Sequence, residues 1–217
     1  MKADSKGRKM LSIIVVIIDI LFILLGIFEL AIKGIETLRP IYLMNCSMDL
    51  IGMVVGLVVL VCCYNDYQQL GVDQRYYRYF LEATFFGLFI DLNCWVVNEQ
   101  PALWQINFFM NTIFFMTNPI TGYFFWKYVT QLVGNSDSWI EKTDRWVKIV
   151  VGLGLAACII NIYGEFLFDV DTDGIYHREA MYPVYMMKLL IVEAMVAALI
   201  VHKRKNLTRR QVVVLSV

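Results

Sequence analysis

The stretch LSIIVVIIDILFILLGIFELAI, residues 11–32, is the first of several long apolar runs in the chain, and these runs decide the fold class. A lipid hydrocarbon core about 30 Å thick is crossed by about 20 helical residues, which this run supplies. A secretory signal would have a much shorter apolar core and a small-x-small cleavage site, and residues 34–38 offer no such site. We therefore predict a retained transmembrane helix.

Five further apolar runs of similar length follow the first one. They cover residues 44–64, 79–97, 106–131, 147–167 and 182–201. The chain is 59% apolar and only 18% charged, which lies outside the range of soluble globular domains. We predict an all-α fold, a polytopic bundle of six transmembrane helices in a lipid bilayer. The charges are segregated into loops, which argues against a nucleic-acid partner.

The positions of lysine and arginine predict the orientation of this bundle. Basic residues precede the first run, lie between the second and third and between the fourth and fifth, and recur in residues 202–210. Basic loops stay on the cytoplasmic side, so we predict that the N terminus and residues 202–210 are both cytoplasmic. The apolar residues 211–217 would then begin a seventh helix. We expect further membrane sequence and an output domain after that helix.

The chain contains no linker, low-complexity tract or internal repeat, so we treat residues 1–217 as a single membrane domain. Within it we distinguish an extra N-terminal helix (1–43), a five-helix core (44–210) and the start of a truncated further helix (211–217). The lack of repeats argues against the inverted-repeat architecture that is common in secondary transporters.

Small residues four apart mark expected contact faces between membrane helices, because they let helix backbones approach closely. Gly52 and Gly56 have this spacing in the second run, and Gly152 and Ala156 have it in the fifth. We favour packing within one chain at these positions. The alternative is a homodimer that forms through Gly52 and Gly56.

The fourth run departs most from a plain apolar helix. Asn107, Asn111 and Asn118 recur at spacings of four and seven, so they share one helix face. Pro119 lacks a backbone donor and crowds the carbonyl of Phe115, which predicts a hinge. One interpretation is a polar cavity above that hinge. The other is a ladder of asparagine hydrogen bonds around a static kink.

Ionisable side chains inside a span cost about 2.5–3.5 kcal/mol each on insertion scales, so each one needs a reason. Asp91 in the third run and Lys188 in the sixth lie at similar depths, about six residues or roughly 9 Å from the outer ends of their helices. Equal depth and opposite sign predict an ion pair that lines an outward-facing pocket near Asn107. The alternative is a purely structural pair.

The loop after the fifth run resembles a calcium loop only in its first half. Acidic residues stand at its first, third and fifth positions and Gly174 at its sixth, but the twelfth position is Ala180. We instead predict a turn at Asp173 and Gly174 between two short extended pieces. Neither the histidines nor the cysteines have metal-ligand spacing, so we expect no metal and no other cofactor.

Two smaller features have both a structural and a functional interpretation. Cys46 and Cys94 lie near the outer ends of neighbouring helices, where they either form a disulfide or act as small buried apolar residues. Ser138 precedes Glu141 by three residues, which is a capping-box spacing. It predicts a short interfacial helix before the fifth span.

Several stretches together resemble the N-terminal multi-helix membrane sensor region of Firmicutes diguanylate cyclases and sensor histidine kinases. They are residues 78–81, 91–95, Pro101, 124–128, 168–178 and 203–205. The resemblance covers roughly residues 45–217 and implies a bacterial cytoplasmic membrane and a cytoplasmic output domain, which these residues do not include. The family has glycines where this chain has Glu179 in one outer loop and Glu99 and Gln100 in the other.

These observations together predict a sensory input module that passes an outer-side signal to a cytoplasmic enzyme through movement at Pro119. The candidate sensing residues, for a small outer-side ligand, are Asp91, Trp95, Asn107, Asn111, Tyr176, Arg178 and Lys188. The alternatives are a small transporter or permease component and a non-catalytic membrane assembly subunit. We predict no catalytic residues, because no nucleophile has a neighbouring base and no glycine loop suits a phosphate.

Overall fold

In the computed structural model, residues 3–70, 75–134 and 138–203 are described, and this part of the chain is almost entirely helical. Its helices are α1 (Ala3–Lys33), α2 (Pro40–Leu70), α3 (Arg75–Val97), α4 (Trp104–Val133), α5 (Ser138–Gly164) and α6 (Tyr182–Lys203). Two short 3-10 turns, Ile35–Thr37 and Pro101–Leu103, precede α2 and α4. Strands β1 (Phe168–Val170) and β2 (Tyr176–Arg178) form a two-stranded sheet between α5 and α6.

Five helices in the described residues, namely α1, α2, α3, α5 and α6, are long and apolar enough to cross a membrane. The predicted multi-pass helical membrane protein is therefore confirmed at this level. α4 is 30 residues long, but asparagine and aromatic residues interrupt its apolar sequence. A sixth crossing by α4, and the orientation of the bundle, stay predictions.

The surface of α1 fits a lipid environment. Large apolar side chains along it are exposed, including Leu11 (61%), Leu24 (55%) and Phe28 (60%). A soluble protein rarely leaves so much contiguous apolar surface open to water, whereas lipid tails cover it without cost. The same reasoning accounts for exposed apolar side chains on α2, α5 and α6.

The structure corrects the predicted start of the fifth span. α5 begins at Ser138 and not at residue 147, so the expected separate interfacial helix is the first part of α5 itself. The helix also ends earlier than predicted, at Gly164, because the chain turns there towards β1. The predicted seventh helix at 211–217 and most of the basic cluster at 202–210 lie outside the described residues.

The chain divides into two compact units, whose boundaries cut through α3 and α4. Unit 1 comprises Met1–Gln74, Leu81–Phe114 and Val170–Tyr176; unit 2 comprises Arg75–Phe80, Phe115–Asp169 and His177–Val217. The predicted subdivision at residues 43 and 210 is a different division, and it stays a prediction.

Each unit has its own apolar core. In unit 1, side chains from α1, α2 and α3 pack together, and the rings of Phe22 and Phe89 stack with their centroids 4.5 Å apart. In unit 2, the core consists mainly of residues from α4, α5 and α6, and its largest fully buried side chain is Trp126.

Gly52 and Gly56 of α2 face α3 within the chain, and the homodimer alternative stays a prediction. A Cβ atom added at Gly52 would lie 2.9 Å from the Leu88 side chain of α3, and one added at Gly56 would lie 3.7 Å from the Phe85 side chain. Close approach of α2 and α3 in unit 1 therefore depends on Gly52, whereas a Cβ at Gly56 would make only an ordinary van der Waals contact.

The predicted contact face on α5 makes no close contact among the described residues, and helix packing through it stays a prediction. Gly152 and Ala156 are exposed, and a Cβ added at Gly152 would meet no described atom within 4 Å. Gly154 is the close-contact position instead, because a Cβ there would lie 2.9 Å from the Lys188 side chain. The face of α5 that packs in unit 2 is thus rotated from the predicted one.

Candidate functional site

A buried amide, Asn98, holds together the polar part of unit 1 at the C-terminal end of α3. Its Oδ1 accepts hydrogen bonds from Asn107 Nδ2 (3.2 Å) and from the backbone N–H of Tyr176 (3.1 Å). Its Nδ2 donates to the Tyr42 hydroxyl at 3.0 Å. One side chain therefore ties α2, α4 and strand β2 to the end of α3.

Two of the predicted sensing residues, Asn107 and Asn111, extend this hydrogen-bond network along α4. Asn107 Nδ2 also donates to the Gly174 carbonyl at 2.9 Å, and its Oδ1 accepts from Asn111 Nδ2 at 2.8 Å. Both side chains are buried, at 0% and 6% exposure. Their amides are therefore engaged in hydrogen bonds inside unit 1, and a polar cavity above the hinge stays a prediction.

The predicted turn at Gly174 is confirmed. Asp171 Oδ1 accepts the backbone N–H groups of Asp173 (3.0 Å) and Ile175 (2.8 Å), so this carboxylate organises the turn. Gly174 has φ +78, and a Cβ on it would lie 2.6 Å from the Gln100 carbonyl oxygen. Only glycine fits this conformation and this close approach to the backbone of the 98–100 loop.

A second polar group in unit 1 surrounds Glu99, and we call Arg39, Tyr42 and Glu99 the Glu99 clamp. Glu99 Oε1 accepts a hydrogen bond from the Tyr42 hydroxyl at 2.8 Å and lies 2.8 Å from Arg39 Nη2. Trp95, a predicted sensing residue, packs against the Tyr42 ring with centroids 5.2 Å apart. Lys33 lies nearby and donates to the carbonyls of Val96 and Asn98.

The predicted hinge residue Pro119 belongs to a cluster in unit 2 that we call the proline latch, which consists of Phe115, Pro119 and Tyr185. Pro119 lies inside α4 and gives the Phe115 carbonyl no helical donor. The hydroxyl of Tyr185, on α6, donates a hydrogen bond to that carbonyl. Cys158 Sγ in turn donates to the Tyr185 hydroxyl oxygen at 3.4 Å.

Lys188, another predicted sensing residue, lies against this latch. Its Nζ is 2.8 Å from the centroid of the Tyr185 ring and has no hydrogen-bond partner among the described residues. Lys188 and its predicted partner Asp91 belong to different units, and their ion pair stays a prediction. Arg178 is exposed and lies 4.8 Å above the Tyr182 ring.

The predicted sensing residues are divided between the two units. Trp95, Asn107, Asn111 and Tyr176 contact the network or the clamp in unit 1, whereas Lys188 joins the latch in unit 2. A sensing role for these residues stays a prediction.

The sequence analysis missed several residues that organise these clusters. Asn161, at 0% exposure, holds the chain reversal after α5, where its Oδ1 accepts from Leu167 N (2.7 Å) and its Nδ2 donates to the Phe168 carbonyl (3.0 Å). Tyr185 was missed as well, since it lies 70 residues from its partner Phe115. The available signal for Asn161 was an asparagine near the end of an apolar run. No local pattern indicated Tyr185.

A charged cluster in unit 2 was also missed. Asp144 accepts hydrogen bonds from Trp126 Nε1 at 3.1 Å, and its two oxygens lie 2.7 Å from Lys127 Nζ and 2.8 Å from Lys148 Nζ. The carboxylate thereby joins α4 to the first part of α5. Its charge is offset by two lysines, which suits a position near the end of a span.

The cysteines carry no disulfide. Cys46 and Cys94 are both buried in unit 1 and both are free thiols, so the structure supports their interpretation as small apolar residues.

No family model matches the chain, and no curated protein or solved structure matches it either. Its function must therefore be argued from its own residues.

Proposed function

We propose that this chain is the membrane-embedded input module of a bacterial signal-transduction protein of the diguanylate cyclase or histidine kinase type. It crosses the cytoplasmic membrane six times, with its N terminus and residues 202–210 in the cytoplasm. An outer-side signal acts on the residues around the hairpin turn and passes to a cytoplasmic output domain. The proline latch is the observation that carries this proposal.

A sensor needs an element with two discrete arrangements whose balance a ligand can shift. Pro119 supplies one such element, because it frees the Phe115 carbonyl from the helical ladder of α4. That carbonyl must find a donor in an interior without water, and in this structure it uses the hydroxyl of Tyr185. In the proposed mechanism the signal shifts α4 relative to α6, and this hydrogen bond is kept in one state and broken in the other.

The reading frame beyond codon 217 tests the proposal most directly. We expect it to stay open through further membrane sequence and into a cyclase or kinase domain. A frame that continues into a transport domain, or that closes without any output domain, would contradict the proposal.

A transporter is the second candidate, and one observation favours it. Asp19 on α1 and Asp49 on α2 are almost fully buried in unit 1, at 4% and 6% exposure. Each has one carboxylate oxygen without a hydrogen-bond partner among the described residues. Buried intramembrane carboxylates are common in proton and cation pathways.

Proton flux into liposomes that contain the purified chain separates the two candidates. A transporter would acidify the lumen under an imposed gradient, and Asp49→Asn would abolish that flux. The sensor proposal predicts no flux above that of empty liposomes for either protein.

A further inference from the structure

Glu99 stands in a backbone conformation that disfavours its own residue type. It has φ +62, in the left-handed region, and its N–H donates to the Gly174 carbonyl at 2.9 Å. This position follows the C-terminal end of α3, where glycine is the usual choice because it lacks a Cβ. A glutamate at this position lowers stability relative to glycine, so we look for a role of its carboxylate that offsets this cost.

The carboxylate of Glu99 is held in place by rigid neighbours. Tyr42 donates to Oε1, its hydroxyl accepts from Asn98, and its ring packs against Trp95. Both the Tyr42 hydroxyl and Arg39 bond to Oε1, so Oε2 keeps acceptor capacity. The Glu99 side chain is only 27% exposed, and its carboxylate accepts a hydrogen bond from the hydroxyl of an aromatic residue, Tyr42.

The cation that now occupies this position is weakly held. The Arg39 side chain is 64% exposed, pairs with Glu99 and lies with its Cζ 5.8 Å from the Tyr42 ring centroid. An exposed ion pair of this kind contributes little free energy, because water and salt screen it and the long side chain loses entropy. Arg39 can therefore leave the carboxylate at low cost, whereas Tyr42 cannot.

We infer that the Glu99 clamp is a binding site for a small organic cation that carries a guanidinium or primary ammonium group. The cation takes the place of Arg39, with its charge on Glu99 and its stem along the Tyr42 ring. Arg39 acts as a tethered competitor that closes the empty site. This inference rests on the proposed sensory function, for which it names the class of ligand.

Agmatine, which has a guanidinium and an amine on a four-carbon stem, is the probe for this site. We would measure its binding by calorimetry to the full chain in phosphatidylcholine nanodiscs, with the neutral compound N-butylurea as the matched control ligand. We expect agmatine to bind and N-butylurea not to bind. Equal binding of the two compounds would overturn the inference. So would a result in which agmatine binds neither to the unchanged chain nor to an Arg39→Gln variant.

The Arg39→Gln variant gives the most distinctive test. Removing a tethered competitor should tighten agmatine binding by about fivefold. This ratio corresponds to the free energy that an exposed ion pair contributes at the upper end of its usual range. Arg145→Gln is the matched control, because Arg145 is also an exposed arginine but belongs to α5 in unit 2 and not to the clamp; it should leave binding unchanged. Weaker binding to Arg39→Gln would overturn the inference, since Arg39 would then help to hold the ligand.

Glu99→Gly removes the carboxylate without endangering the fold. Glycine relieves the left-handed backbone, so the thermal midpoint should stay the same or rise, while agmatine binding should fall roughly tenfold or more. Unchanged binding in this variant would overturn the inference. None of these measurements involves Tyr185 or the downstream reading frame, so the cation site can fail while the sensory proposal stands.

Discussion

Replacing Tyr185 with phenylalanine removes one hydroxyl group and almost nothing else. The ring keeps its place between Phe115, at 5.2 Å between centroids, and Lys188. The change deletes the hydrogen bond to the Phe115 carbonyl and the acceptor for Cys158. Any effect on stability therefore reports the proline latch.

The expected loss in the free energy of unfolding is about 1 kcal/mol. Hydrogen bonds between membrane helices contribute about 0.6 kcal/mol on average and up to about 1.7 kcal/mol. The Tyr185 bond should contribute about 0.7 kcal/mol, slightly above this average, because its acceptor is a carbonyl that Pro119 has removed from the helical ladder. The weak Cys158 bond adds only a few tenths of a kcal/mol.

Pro119→Ala provides the matched background. Alanine supplies a backbone N–H to the Phe115 carbonyl, so the Tyr185 hydroxyl becomes redundant for this acceptor. In that background Tyr185→Phe should cost only about 0.3 kcal/mol or less, which leaves a coupling of roughly 0.7 kcal/mol between the two positions.

Equilibrium unfolding of the full chain by dodecyl sulfate in mixed micelles measures all four proteins of this cycle. Tryptophan fluorescence is a suitable signal, because Trp126 is fully buried in unit 2. Equal costs of Tyr185→Phe in the proline and alanine backgrounds would refute the reasoning, because the hydroxyl would then be serving some partner unrelated to the proline.

Three further predictions follow from close contacts and use the same unfolding assay. Gly174→Ala should cost about 3 kcal/mol or more, since the new Cβ meets rigid backbone at 2.6 Å. Gly134→Ala, also at positive φ but with no atom of the described residues within 4 Å of the new Cβ, should cost only about 1–2 kcal/mol; equal costs would contradict the close approach. Gly52→Ala should cost about 1–3 kcal/mol by overpacking against Leu88, while Gly56→Ala should be nearly neutral. A larger cost for Gly56→Ala than for Gly52→Ala would count against the α2–α3 packing. Asn161→Ala should cost about 2–4 kcal/mol, because it leaves a buried N–H and a buried carbonyl without their side-chain partner; a cost under 1 kcal/mol would show that the loop reorganises freely.

The predicted apolar runs agree with the observed helices because length and composition control membrane insertion. Each of the six runs lies largely within one helix, and five of those helices are long and apolar enough to span. The start of α5 was mispredicted because Ser138 opens a helix that continues from the polar loop into the apolar run without a break. Hydropathy detects the apolar part of such a helix and not its polar beginning.

The candidate sites were only partly predictable. Local spacing identified Asn107 and Asn111 as one face, Gly174 as a turn and Pro119 as a residue that disturbs α4. It did not identify Tyr185 as a partner of the proline, and it favoured Gly152 over Gly154 as a contact. The missed Tyr185 contact and the choice of Gly152 have the same cause. The side of a helix that meets its neighbour depends on the rotation of that helix, which local spacing does not give.

The amino-acid sequence by itself determined that this is a helical membrane protein, because about 20 apolar residues in a row are stable in lipid only as a helix that satisfies its own backbone. It also determined that α4 carries a carbonyl without a helical donor. Only the tertiary structure decided which polar groups pair with one another. The Tyr185 hydroxyl bonds to the Phe115 carbonyl, Asn98 bonds to strand β2, and Arg39 pairs with Glu99. Those pairings join residues far apart in the chain, and helix rotation and close packing, which no local pattern encodes, select them.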